Sequence, residues 1–454
     1  MPLSSYAKTG NFIEDIEKIV YSNAYRRLAH KTQLIIKPTR DHFRSRLVHT
    51  AEVNHIASSL GKLLGLNIEL ISAIAQAHDL GHTPFGHAGE RAVQNILEIE
   101  INNRFQIECP KKEPEKILFR KKLFHHSINS SRILVKEKEF EDISIEIING
   151  VLMHSWNPWQ ETKKNMFIPN TYEAQVVAIA DQIASINHDT EDIIEGEPYT
   201  KYTEERFSQE IINGFKSAHK DTYRQLEESI QQFIIDKQVE PGYGRKKRVN
   251  YILSDIIKNT KETFKQNNIT RSEQAIECPI CPSAIWSEFL NYYEGFIRKL
   301  IQEKISWFIA RDNMASALIS TVFTHIWPRI SSSIEVSHRS IQPSLFSKEE
   351  LIKSKYEEKT KYIEHFISFF NQHYIDEENG INFYDAYLKK AKEIKTKHEI
   401  SLWDLNILDL KQNLSEDDKR LFTKIIAIID FIAGFTDRYC LEIFDEVYKE
   451  FIVT

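Results

Sequence analysis

Seven of the 17 histidines fall between His30 and His87: His30, His42, His49, His55, His78, His82 and His87. An even spread would place about two there. Imidazole is the commonest metal ligand and the side chain best suited to proton transfer near neutral pH. The positions of these residues on helices give the clustering its meaning. From His49 to Leu64 the apolar residues Val53, Ile56, Ala57, Leu60, Leu63 and Leu64 define one helical face, and His49 lies on it. From Ile68 to Asp79 the residues Ile71, Ile74 and Ala75 define another, which His78 continues. Leu80-Gly81 is expected to end that helix, with glycine as a left-handed cap. A third segment, Glu173 to His188, turns Val177, Ala180 and Ala184 inward, and Asp181 shares their face. A carboxylate buried on such a face costs several kcal/mol without a partner. A divalent cation supplies one. His49, His78, Asp79 and Asp181 offer two imidazoles and two carboxylates, a set that suits Mn²⁺, Fe²⁺, Mg²⁺, Zn²⁺ or Ni²⁺ without choosing among them. The bland alternative is a group of hydrogen-bonded core polar residues.

The rest of the chain must supply the helices that position this set. Across 454 residues there are only 14 Gly and 13 Pro, about half the usual frequency of these turn formers. That argues against sandwiches and barrels and for long helices. The expected fold is all-α: a helical core followed by a largely helical C-terminal region. Residues 1–205 form the core in this reading and 206–416 a helical region with irregular insertions. Residues 417–454 form a C-terminal helix that packs back, with Ile425, Ile428, Ile429, Ile432 and Phe435 at helical intervals. Breaks are expected at Glu98 to Lys122, Asn267 to Pro282 and Ser331 to Lys348. Gly242 to Arg248 reads as a Gly-punctuated basic loop.

Charge and cysteine usage narrow the classes. Lys plus Arg is 59 and Asp plus Glu 65, a net charge of −6, which excludes a strongly basic nucleic-acid binder by bulk charge but not a local basic groove. Four cysteines make no disulfide framework. Cys278 and Cys281 form one C-x-x-C without a second pair, read as a Pro-flanked loop with reduced thiols rather than a zinc site. No run of 18 apolar residues and no apolar leader occurs, so a cytoplasmic protein with no membrane partner is expected. Met153, Trp156 and Trp159 read as core or pocket wall.

Five blocks carry a resemblance. Tyr25-Arg26-Arg27-Leu28-Ala29-His30-Lys31-Thr32-Gln33 looks like R-R-L-x-x-K-T-Q, and Arg44 to Val53 looks like R-x-R-L-x-H-[ST]-x-E-V. Ala77 to Glu90 is close to A-H-D-L-G-H-x-P-F-G-H-x-G-E. Ala180 to Asp189 resembles A-D-x-I-A-Y-x-x-H-D, and Gly434 to Tyr439 a closing G-x-T-D-R-Y. Together they resemble the bacterial dGTPase-like enzymes of the HD superfamily of metal-dependent phosphohydrolases. The resemblance implies an HD-domain helical fold and a deoxynucleoside triphosphate triphosphohydrolase: water attacks the α-phosphorus of a dNTP, giving a deoxynucleoside and tripolyphosphate. It implies His49, His78, Asp79 and Asp181 as ligands of one divalent metal, with Mg²⁺ also travelling on the triphosphate. It makes His87 the proton-transfer group tuned by Glu90, with His82 and His126 flanking the triphosphate. It places Arg46 on phosphate, Gln33 beside the sugar or base, Asp189 at the 3′-hydroxyl and Tyr439 among the substrate contacts. Asp437 and Arg438 either serve the site or tie the C-terminal helix to the core. His188 reads as a helix-end histidine.

The chain departs from the pattern at one point. The family carries tyrosine four residues after the last metal aspartate, where this sequence has Ser185. An aromatic there would close the sugar pocket. Two other classes stay open at this stage: another HD nucleotide phosphohydrolase or phosphodiesterase, and a nucleotide or single-stranded DNA sensor with little turnover. The resemblance further implies a homo-oligomer, dimer or hexamer, and a nucleotide or single-stranded DNA effector.

Overall fold

A computed structural model describes residues 12–34, 44–112, 115–160, 168–195, 203–234, 243–270, 274–335, 365–366, 368–369 and 414–453. His42 and most of the expected break after Ser331 lie outside them. The regular elements among the described residues are helices, with no extended strand among them. In chain order the helices are α1 (Phe12–Tyr21), α2 (Asn23–Arg27), α3 (Arg46–Leu64), α4 (Ile68–Ala77), α5 (Gly86–Phe105), α6 (Glu115–Leu123), α7 (His126–Lys136) and α8 (Ile145–Met153). They continue with α9 (Tyr172–Glu195), α10 (Glu204–Ala218), α11 (Lys220–Ile234), α12 (Tyr243–Gln266), α13 (Ala284–Lys299), α14 (Ser306–Glu335), α15 (Glu416–Ala433) and α16 (Asp437–Val453).

The chain divides into two compact units, each assembled from separated stretches. One takes residues 1–25, 33–78 and 143–311. At its centre α3 packs against α9 and α4, and α4 also meets α1 and α8. The sequence explains this order. In α4 the residues Leu70, Ile71, Ala73, Ile74, Ala75 and Ala77 are all buried, a helix apolar nearly all round that needs neighbours on several sides. Asn67 starts it, its side chain accepting from Leu70 N at 3.1 Å. In α9 the run Val176 to Ala180 is fully buried.

The other unit takes residues 26–32, 79–142 and 312–454. Here α5 bonds to the chain between α6 and α7, Gln94 Nε2 donating to Phe124 O at 2.7 Å. A buried ion pair, Arg132 Nη2 to Asp430 Oδ2 at 2.8 Å, ties α7 to α15. The entry to α5 is unusual. Phe85 and Gly86 both lie in the left-handed region, at φ 64° and 58°. Glycine accepts that without strain and phenylalanine does not. Asp437 Oδ1 holds Phe85 there, accepting from its N–H at 2.9 Å.

Several elements differ from expectation. The polar stretch after Glu98 is largely helical, since α5 runs on to Phe105 and α6 starts at Glu115. The basic run Arg245 to Arg248 lies within α12, not in a loop. There Arg248 donates to Asn187 Oδ1 at 2.8 Å and pairs with Glu191 Oε1 at 3.1 Å. The C-terminal segment is two helices, broken after Ala433, and Thr436 Oγ1 caps the second by accepting from Tyr439 N at 3.2 Å. Gly81 does not cap α4, which ends at Ala77, and its φ is not positive. Glycine is required there because a Cβ would lie 2.2 Å from Ser130 N and 2.6 Å from Asn129 C.

Candidate active site

In the first unit three residues converge, two from within helices and one from a helix end. His49 sits one turn into α3, His78 just past the last turn of α4, and Asp181 in the middle of α9. Asp181 Oδ1 lies 2.9 Å from His49 Nε2 and 3.8 Å from His78 Nε2. The two rings are 5.5 Å apart, and both are buried. The Nδ1 of His78 is 2.6 Å from Ala75 O. A carbonyl only accepts, so in the neutral ring Nδ1 carries the proton and Nε2 turns a lone pair toward Asp181. Lone pairs facing a carboxylate oxygen repel unless a cation lies among them. The donor set therefore fits a divalent ion. Asp79, the fourth residue of the expected set, is joined to His78 by a peptide bond and is 2% exposed.

Behind His49 stand two residues that helical spacing alone does not link to it. His49 Nδ1 is 3.2 Å from His188 Nδ1, and His188 Nε2 is hydrogen-bonded to Glu52 Oε2. His188 is not a solvent-facing helix end, because α9 continues to Glu195 and buries it fully. Burial takes its pKa down to about 4 in spite of the Glu52 bond. Burial opposes ionisation of Glu52 as well, yet the bonds and charges of His188 and Arg44 outweigh it and bring Glu52 down to about 2. Arg44 Nε reaches Glu52 Oε1 at 3.2 Å, and its Nη2 reaches Glu191 Oε2 at 2.5 Å. Glu52 belongs to the quoted R-x-R-L-x-H-[ST]-x-E-V block, and that was the signal available. A further histidine, His154, packs edge-on against His78 with ring centroids 5.1 Å apart.

Arg46, the first residue of α3, is 2% exposed. Asp189 is partly exposed, two turns beyond Asp181 on α9. Its surroundings push it up to about 6, by burial first, while Arg311, His49 and Arg46 draw it down and Glu294 adds to the rise. Gln33 is buried, and its Oε1 has no hydrogen-bond partner. Ser185 Oγ lies 3.4 Å from Asp181 Oδ1, so the residue that replaces the family tyrosine touches the carboxylate.

In the second unit the imidazoles gather. His82 stacks on His126 with centroids 4.0 Å apart, and His87 stands edge-on to both at 5.2 and 5.4 Å. One ring nitrogen from each of the three lies within 4.8 Å of the others. His87 is exposed, the other two buried. His82 Nε2 is 3.1 Å from Asp79 Oδ1. Glu90 was expected to orient His87; instead its Oε2 accepts from both N and Nδ1 of His126, at 2.9 and 2.8 Å. Burial resists ionisation of Glu90, but the charges of His125, His126 and His87 keep its carboxyl well below the usual range. Tyr439 OH meets His365 Nδ1 at 2.6 Å.

The loop that carries these histidines is braced from two sides. Lys31 Nζ donates to His82 O and, at 2.9 Å, to Ala433 O. Asp437 Oδ2 accepts from Thr32 N at 3.0 Å and from the Thr32 hydroxyl, while its Oδ1 holds Phe85. Asp437 thus ties the C-terminal helix to the loop. Burial and the neighbouring Cys278 push the Cys281 thiol up to about 12. Among the described residues no helix is long and apolar enough to cross a membrane.

Residues 46–186 match the HD domain family. A deoxyguanosinetriphosphate triphosphohydrolase-like protein of Caldanaerobacter subterraneus is 40% identical over 189 residues, 41% of this chain and 46% of the relative. The matched stretch thus spans about half the length of that relative. One of the same name from Desulfatibacillum aliphaticivorans is 30% identical over 65% of this chain and 77% of its own length. Another, from Rickettsia canadensis, is 25% identical over 96% of this chain and 93% of its own.

Proposed function

The chain belongs to the HD-domain, deoxyguanosinetriphosphate triphosphohydrolase-like family of hydrolases, and from that premise we propose that it is a dNTP triphosphohydrolase. The reaction is hydrolysis at the α-phosphorus of a dNTP, releasing a deoxynucleoside and tripolyphosphate. The observation that carries this reading is the convergence of His49, His78 and Asp181 around one carboxylate oxygen, with Asp79 next in the chain.

His49, His78, Asp79 and Asp181 would hold one divalent ion, Mn²⁺, Mg²⁺, Fe²⁺, Zn²⁺ or Ni²⁺. Such an ion supplies Lewis acidity toward an α-phosphate oxygen and lowers the pKa of an attacking water. The remaining steps belong to side chains. His87, exposed beside two buried imidazoles, is placed to pass a proton to or from the reacting oxygens. His126 lies against the triphosphate, its Nδ1 fixed by Glu90, so that Nε2 is the atom presented. His82 stacks beneath it. Arg46 offers a guanidinium fork to phosphate. The unpartnered Gln33 Oε1 accepts from the sugar or base, and Asp189 accepts from the 3′-hydroxyl. Tyr439 completes the substrate contacts.

A cytoplasmic homo-oligomer responsive to a nucleotide or single-stranded DNA effector belongs to the same proposal. The test is a panel of the four dNTPs and four ribonucleotides, singly and mixed, with Mn²⁺ and with Mg²⁺. Tripolyphosphate from deoxy substrates is the expected product. A metal-replete protein inert toward every mixture would refute the reading. Ribonucleotide turnover would show a relaxed sugar selectivity, in line with Ser185 at the position of the family tyrosine.

A further inference from the structure

We propose that Glu52 and His188 are positioning residues that decide which nitrogen of His49 carries its proton, and so aim the Nε2 lone pair at the cation site. The proposal rests on the metal-site reading above and adds residues outside the ligand set.

Donors and acceptors alternate along one line of side chains. Glu52 has two oxygens with separate tasks. Oε1 accepts from Arg44 Nε, and Oε2 accepts from His188 Nε2. A carboxylate has no hydrogen to offer, so His188 must carry its proton on Nε2. In the neutral ring that leaves His188 Nδ1 as an acceptor. It faces His49 Nδ1 at 3.2 Å, so the proton of His49 sits on Nδ1. His49 Nε2 is then a bare lone pair, 2.9 Å from Asp181 Oδ1. For His78 the carbonyl of Ala75 makes the same choice in one step. For His49 the side-chain relay through His188 and Glu52 makes that choice. Metal-bound histidines commonly donate their other nitrogen to a carboxylate or carbonyl. Here a second imidazole is interposed between ligand and carboxylate.

Arg44 makes the relay testable with a near-isosteric change. In Glu52→Gln the arginine, which only donates, requires the amide oxygen on its own side. The amide nitrogen is then left facing His188. It donates where the carboxylate accepted, so the proton of His188 moves to Nδ1 and that of His49 to Nε2. A protonated Nε2 cannot ligate. Glu52→Ala is chemically the larger change, yet it removes the wrong donor. The Glu52 side chain is 36% exposed, so water replaces it and adapts to either tautomer.

Co²⁺ affinity of the chelator-stripped full-length protein, measured by competition with a chromophoric chelator, gives the ordering. Glu52→Gln should weaken Co²⁺ binding about 10- to 100-fold, and Glu52→Ala by less. Selective ¹⁵N-histidine labelling of the stripped protein, assigned with His49→Gln, reads the tautomer without any metal. His49 should be Nδ1–H in the wild type and Nε2–H in Glu52→Gln. A merely packing role would make alanine the worse substitution and leave the tautomer unchanged; either result overturns the relay. Wild-type protein that takes up no Co²⁺ would instead sink the metal-site reading, and the ¹⁵N spectra would still judge the relay.

Discussion

Gly81→Ala tests how the histidine loop is held. A Cβ at this position meets backbone on three sides: Ser130 N at 2.2 Å, Asn129 C at 2.6 Å and His126 O at 2.7 Å. All belong to the first turns of α7, and helix backbone cannot rotate aside as a side chain can. The loop and α7 must part by about 1 Å or more to restore ordinary contact, an overpacking that costs about 1–3 kcal/mol. Two buried bonds stretch with it, Gly81 N to Ser130 Oγ at 2.8 Å and Asn129 Nδ2 to Gly81 O at 2.9 Å. Each contributes about 0.5–1.5 kcal/mol, more if a donor is left buried and unpaired. The sum, roughly 2–6 kcal/mol, is a large fraction of the stability of an ordinary protein. The same movement separates His126 from His82, whose rings now stack at 4.0 Å. A misplacement of about 1 Å costs on the order of 100-fold in turnover. Denaturant unfolding and steady-state dNTP hydrolysis are the assays. A variant with the wild-type unfolding midpoint and a turnover number within two-fold of wild type would refute the packing argument.

Three further outcomes follow from the same contacts. Asp79→Ala should lose both bound metal and activity, whereas His87→Ala should keep the metal and lose about 10²–10⁴ in kcat; metal analysis beside kinetics separates them, and near wild-type kcat in His87→Ala would remove its proton-transfer role. Asp437→Ala strands the N–H groups of Thr32 and Phe85, so it should cost about 2–4 kcal/mol and raise the B-factors of residues 79–87 in a crystal structure, while Asp437→Asn should cost less. Lys424 is buried, and desolvation takes it down to about 7. Between that value and its unfolded pKa the unfolded chain binds the extra proton, so its destabilising effect is full below about pH 7 and fades toward about pH 10. Lys424→Met should therefore raise the melting temperature more at pH 6 than at pH 9, and an equal rise at both would contradict the assignment.

The convergence of two histidines and an aspartate was legible because helical period fixes the face on which a residue lies. His49, His78 and Asp181 share apolar faces in the sequence, and those faces meet in the structure. Period says nothing about which distant residue a side chain will find. His188 therefore read as a helix end, although it stands fully buried between His49 and Glu52. Glu90 read as the partner of His87 from their spacing of three, but its oxygen bonds to His126, 36 residues away. Gly81 differs from its local signal for a related reason. Local chemistry suggested a left-handed cap, whereas the demand comes from the backbone of α7. The basic run at Arg245 looked like a loop because Gly242 and Gly244 flank it. Pairing of Arg248 with Glu191 and Asn187 is a long-range contact that local propensity does not report.

Isotope tracing reads hydrolysis at the α-phosphorus directly. Metal-replete protein is incubated with each dNTP in H₂¹⁸O and the products are separated by anion exchange and weighed by mass spectrometry. One ¹⁸O in tripolyphosphate, with none in the deoxynucleoside, is the result expected of water attack on the α-phosphorus. Label in the nucleoside hydroxyl, or release of pyrophosphate or orthophosphate in place of tripolyphosphate, would contradict it.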